Sequence, residues 1–167
     1  MAQRPRLLWE GKKIGRNPTD RGKGGVKRSM LTEANGIPIA IVVEGANFHD
    51  ITLAPATLDD LQIERPTPTE KNPQGLCLDK AYDSNAFRQI VQDQGYTAHI
   101  KKRNEEAKEI KLQEGFRARR WVVERTHSWL NRFRGLLIRW SKKETNYTAF
   151  LDLVCGVIAW RSTGLMR

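Results

Sequence analysis

The chain has 167 residues and a mass of 19.2 kDa, enough for one domain with a proper core and short for two. A hydrophobic content of 39% with five Trp excludes a disordered chain. A net charge of +10 points to an acidic partner, with nucleic acid the first candidate.

Residues 1–26 are polar, rich in Gly and Lys and without periodicity, and read as a loop or frayed terminus. Val26–Thr32 and Ile37–Val43 then flank Glu33-Ala-Asn-Gly36, which predicts a β-hairpin with positive φ at the Asn-Gly pair. Ile37–Val43 is almost wholly apolar, as in a strand covered on both faces, and Pro38 fits only near its start. Leu53, Thr57, Leu58 and Leu61 recur at helical spacing, so Asp50–Leu61 reads as a helix that Asp50 caps.

Pro66, Pro68 and Pro73 mark a surface loop before the short buried strand Leu76–Leu78, which ends at Asp79. Ser84 caps a helix running to about Gln94, with Phe87, Ile90 and Val91 on one face and Gly95 as its stop. Tyr96–Ile100 is a further strand, and the highly charged stretch Lys101–Gln113 a loop or mobile helix. From about Phe116 a long helix follows, buried along Val122, Trp129, Phe133, Leu136, Leu137 and Trp140, with Glu124, His127, Ser128 and Asn131 on another face. The last helix, Asn146–Ser162, is apolar around most of its circumference. This order of strands and helices predicts an α/β layer fold with a mixed sheet.

Charge is unevenly placed. Residues 1–28 have a net charge of +7, residues 29–100 of −6 and residues 101–143 of +9. Basic arms around an acidic centre suit a metal-dependent enzyme that grips DNA from both sides, whereas a ribosomal-type protein is basic throughout. Cys77 and Cys155 lie far apart without CxxC or CxxH spacing, which argues against zinc and against a disulfide framework and suits reduced thiols. The start has no apolar core for a signal peptide, and the longest apolar stretch, Leu151–Trp160, contains Asp152 and is too short to span a bilayer. The expectation is a cytoplasmic, nucleoid-associated protein with no membrane partner.

Two acids stand out. Asp79 follows a strand directly, where catalytic groups of α/β sheets gather. Glu124 is the only carboxylate in Arg119–Arg134, a stretch dense in Arg and Trp. Together they could hold magnesium for chemistry on a phosphate backbone. Simpler readings stand beside this one. Asp79 suits a turn before Lys80-Ala-Tyr82, and Glu124 could pair with Arg120 or Arg125, although Arg120 lies on the less favourable side for a helical pair. His49, His99 and His127 are scattered and read as surface or core histidines.

Four blocks now carry a resemblance: Gly15-Arg-Asn-Pro-Thr-Asp-Arg-Gly-Lys23, Gly45-Ala-Asn-Phe-His-Asp50, Leu76-Cys-Leu-Asp-Lys-Ala-Tyr-Asp83 and Arg119–Arg134. In this order they resemble the DDE transposases of bacterial insertion sequences, closest to the insertion sequence five-type group. The likeness covers roughly residues 14–163, so residues 1–14 read as a variable segment and 15–167 as a partial catalytic domain. It implies a ribonuclease H-like mixed sheet flanked by helices and lacking its first strand. It also implies three acids that bind two magnesium ions, replaceable by manganese, and that cut and join DNA ends.

Asp79 falls on the family's second Asp and Glu124 on its final Glu, as catalytic and metal-binding residues. Lys27, Arg28, Lys80, Arg117, Arg120, Arg125, Arg132 and Arg134 are the expected DNA contacts. Arg117 stands where the family often has Tyr, and Asn131 where it often has a basic residue. Upstream of Gly15 there is no Asp, only Glu10, so the first acid is missing. The resulting expectation is a second-frame transposase product, inactive alone, that acts on transposon ends and target DNA when joined to an upstream-frame product. A homo-oligomer is expected by analogy. The alternative is a non-catalytic DNA-binding regulator or inhibitor of the full-length enzyme.

Overall fold

The computed structural model describes residues 6–7, 13–100 and 121–164. These fall into two compact units, one drawn from residues 1–62 and 122–167 and the other from 63–121. The charged stretch from Lys101 and the expected helix start near Phe116 lie outside the described residues.

In the first unit, strands β1 (Arg6–Leu7), β2 (Gly15–Arg16), β3 (Gly24–Thr32), β4 (Pro38–Gly45) and β7 (Ile138–Arg139) form a five-stranded mixed sheet. β3 is its spine. It pairs antiparallel with β4, from Val26 opposite Gly45 to Thr32 opposite Pro38, and meets β2 and β1 at Gly25. β1 in turn runs parallel to β7. The chain is therefore mixed α/β, as expected.

The hairpin turn forms where Asn-Gly predicts it but by different chemistry. Gly36 alone has positive φ, at 90°, while the Glu33 carboxylate accepts the Asn35 N–H at 2.7 Å and the Ile37 N–H at 2.9 Å. An acid closing the turn replaces the second left-handed residue.

Helices cover both faces of the β3–β4 ribbon. α1 (Asp50–Asp59) buries Leu53, Ala54, Thr57 and Leu58, and the Thr57 hydroxyl donates to Ser29 Oγ of β3 at 2.7 Å. The other face holds the main core: Val26, Val43, Leu130, Leu136, Tyr147, Leu151, Val154 and Ile158. Leu130 comes from α3 (Trp121–Asn131), Leu136 from α4 (Arg134–Leu137) and the last four from α5 (Glu144–Ser162). Each such aliphatic side chain contributes roughly 1.5–3 kcal/mol by leaving water.

The long helix expected from Phe116 to Trp140 is broken. α3 ends at Asn131, Phe133 is extended, and after the single turn of α4 the chain pairs as β7. Leu137 and Trp140 consequently leave the expected buried stripe and are 44% and 59% exposed. Gly135 accompanies the change of direction: a Cβ there would stand 2.9 Å from the Phe150 ring, so a larger residue would make that ring shift.

The second unit is a two-stranded parallel sheet, β5 (Gln74–Leu78) and β6 (Tyr96–Ile100), joined through α2 (Asn85–Asp93). Leu76, Phe87 and Val91 form its buried centre. Ser84 caps α2 as expected, its hydroxyl accepting the Phe87 N–H at 3.2 Å, and Gly95 ends it with φ 76°. The Arg65 guanidinium lies 4.0 Å over the Tyr96 ring and donates to the Gln94 carbonyl, which ties the proline loop to this turn.

Candidate active site and nucleic-acid interface

Asp79 leaves the carboxyl end of β5 and is exposed. Its Oδ1 accepts the Lys80 N–H at 2.8 Å, so it caps the short 3-10 turn Lys80–Tyr82. The turn role is thus real and leaves the carboxylate at the surface. Lys80 beside it is also exposed. Asp83 receives Arg88 Nη2 at 2.8 Å, which holds the end of the same turn against α2.

Glu124 lies in the first unit, on α3. Trp121, Glu124, Ser128 and Arg132 follow steps of three and four and are all exposed. The opposite side of α3, with Val122, Thr126, His127 and Leu130, is buried. Burial on one side thereby leaves Glu124 on a solvent-facing line with an indole before it and a guanidinium after it. Arg134 is exposed just beyond. Arg125 is committed elsewhere: it stacks 5.0 Å over Trp129 and donates to the Asn35 carbonyl of the β3–β4 turn.

Lys27 and Arg28, expected among the DNA contacts, are buried at 3% and 1% exposure. The reason is the strand alternation of β3 between two helical layers, which gives neither face to solvent. Lys27 points to the α1 side and pairs with Asp50 at 3.0 Å while donating to the Phe48 carbonyl. Asp50 therefore neutralises Lys27 as the first residue of α1, and the N-cap position belongs to His49. Arg28 points to the core side, where its Nη2 donates to Asn131 Oδ1 at 3.0 Å. Its Nε and Nη1 have no hydrogen-bond partner, and burial lowers the pKa of the guanidinium. Arg117 and Arg120 lie outside the described residues.

The interior around Arg28 is unusually polar. His127 is 2% exposed, and burial first, then the Arg28 charge, push its pKa down to about 3. Tyr147 is raised by burial, an effect that Arg28 and Arg139 oppose. The Arg139 guanidinium lies 5.1 Å from the Tyr147 ring and donates through Nε to the Ser141 carbonyl at 3.0 Å. Sequence reasoning missed this network because each member looks like a surface residue on its own element.

Asp79 and Glu124 offer the hard oxygen donors that magnesium takes. Among the described residues, however, no group of three or more His, Cys, Asp or Glu side chains is arranged to hold a metal ion. Among them, too, no helix is long and apolar enough to cross a membrane.

Residues 3–156 match the transposase DDE domain, and the chain belongs to that family. It is 38% identical over 157 residues to a Burkholderia cepacia protein assigned as a transposase for insertion sequence element IS402. That match covers 92% of this chain and 72% of the relative. No solved structure matches.

Proposed function

We propose that the chain provides the second and third acids of an insertion-sequence transposase, Asp79 and Glu124, for phosphoryl transfer at DNA ends. The observation that carries this is the placement of both acids. Within a DDE-family chain, Asp79 is exposed directly after β5 with Lys80 next to it, and Glu124 is exposed in the first turn of α3 with Arg125 next to it in the sequence. Divalent metal goes with the family, and magnesium suits two carboxylates. A two-ion centre uses a further ligand, and on this reading an upstream-frame product or another copy supplies the first acid.

The reaction on this reading is attack of water at the transposon end, then attack of the freed three-prime hydroxyl on target DNA. The chain's part is to bind and orient the polyanion. Lys80 beside Asp79, and Arg132 and Arg134 beyond Glu124, face solvent and would pair with phosphates. Arg117 and Arg120 belong to the same basic segment. Arg125, Lys27 and Arg28 would act indirectly by holding α3, β3 and α1 in place.

The test is a strand-transfer assay with transposon-end DNA, run with the chain alone and with the chain joined to the upstream-frame product. Joined enzyme that loses activity by more than about 100-fold with Asp79→Asn and with Glu124→Gln, while folding is unchanged, is the expected result. Activity that survives both substitutions overturns the assignment. DNA binding without strand transfer in every combination favours a regulator that occupies the ends.

A further inference from the structure

The segment after β2, read from sequence as a loop or frayed terminus, is closed on itself. The Asn17 N–H donates to the Lys23 carbonyl at 2.8 Å, Gly22 N–H to the Asn17 carbonyl at 3.0 Å and Lys23 N–H to the Asp20 carbonyl at 3.0 Å. The Asn17 side chain is 6% exposed, and its Oδ1 accepts both the Thr19 N–H and the Thr19 hydroxyl at 3.0 Å. This is an Asx-turn built inside a hairpin.

The root of the loop is wedged as well. A Cβ on Gly15 would fall 1.5 Å from Asn47 Oδ1, and one on Gly45 2.6 Å from the same atom. The Asn47 amide therefore occupies the space between the two strand ends.

Arg16, the last residue of β2, and Arg21, within the loop, are both exposed, and neither is in an ion pair with a described acid. Lys23 is loosely paired to Asp20 at 3.9 Å with both side chains solvated. Arg16, Arg21 and Lys23 against Asp20 give residues 16–23 a net charge of +2. Arg21 also has φ 52°, and Gly22 follows at φ 71°. A left-handed arginine is strained where glycine or asparagine would not be, and its side chain is exposed. Backbone strain of this sort is enriched at positions that meet a ligand.

We propose that the end of β2 and the loop after it, Arg16–Lys23, form a DNA-backbone clamp in which Arg16 and Arg21 each pair with a phosphate. A guanidinium matches a phosphate with two parallel N–H donors, and a preformed loop loses little entropy on binding. The assignment rests on the transposase reading, which supplies DNA as the polyanion. It adds a contact surface remote in sequence from the arginine-rich helix.

The experiment measures binding of the full chain to labelled duplex DNA by fluorescence anisotropy across a salt series. The variants are Arg21→Gly, Arg16→Gln and the two together, with Arg21→Lys as the charge-keeping control. Arg21→Gly relieves the backbone, so its melting temperature stays level or rises. The double variant is expected to bind about tenfold more weakly, with a log–log salt slope shallower by roughly 0.9 for each lost phosphate contact. Arg21→Lys keeps the wild-type slope. A wild-type chain that binds duplex while the double variant keeps its affinity and slope overturns the clamp alone. A wild-type chain with no salt-dependent binding overturns the DNA reading and the clamp with it.

Discussion

Acidification tests the buried polar interior through His127. The imidazole is 2% exposed, with its pKa pushed down from 6.5 to about 3. Its folded value lies below its unfolded one, so between those limits the unfolded chain binds the extra proton. The associated stability is complete above pH 6.5 and drains away as the pH falls toward 3. The full shift corresponds to about 5 kcal/mol, of which ~2 kcal/mol is lost by about pH 5. With a urea slope of roughly 2 kcal/mol per molar, the midpoint moves down by about 1 M between about pH 7.5 and 5.

Urea melts of the wild type and His127→Gln, followed by circular dichroism at both pH values, isolate this contribution from that of the carboxylates. The variant is expected to lose correspondingly less stability on acidification. Equal losses in the two proteins would refute the reasoning. A titration of the His127 ring by NMR that gave an ordinary imidazole midpoint would refute it without any variant.

Three further predictions concern packing and reactivity. Gly15→Ala places a methyl on Asn47 Oδ1 at 1.5 Å and should cost about 1–3 kcal/mol, with most of that recovered in the double variant with Asn47→Ala; additive effects in thermal melts would contradict the wedge. Thr126→Val removes the donor that reaches the Gly36 carbonyl at 2.6 Å and the Val122 carbonyl at 3.1 Å, and should cost about 1–2 kcal/mol, with Thr126→Ser milder. Burial, then Asp152, push the Cys155 thiol up to about 12, whereas Cys77 is exposed. A thiol reagent at about pH 8 should therefore label Cys77 and leave Cys155, only ~10⁻⁴ ionised, almost untouched, and mass spectrometry of the labelled peptides would show otherwise if the burial were wrong.

Much of the local structure was legible in the residues. Ser84 and Gly95 bracket α2 because a hydroxyl cap and a left-handed stop act within one turn of helix. Pro38 opens β4, and Gly36 turns the hairpin, for equally local reasons. The candidate acids were also readable, since a charged residue after a short apolar run and a lone carboxylate among arginines need no tertiary information. The Asx-turn at Asn17 was within reach too, through its Asn-Pro-Thr sequence, although glycine content suggested disorder instead.

What a side chain does after the chain folds was another matter. Lys27 and Arg28 look like surface cations until α1 covers one face of β3 while α3 and α5 cover the other. Arg28 then bonds to Asn131, 103 residues away. His127 loses its ordinary pKa through the same burial, and Trp140 reaches solvent because α3 stops at Asn131. The sequence alone determined caps, turns, strand periodicity and the pair of candidate acids, all governed by interactions spanning a few residues. Only the tertiary structure decided which charges face solvent and which are sealed inside, because burial is set by layers that distant segments bring together.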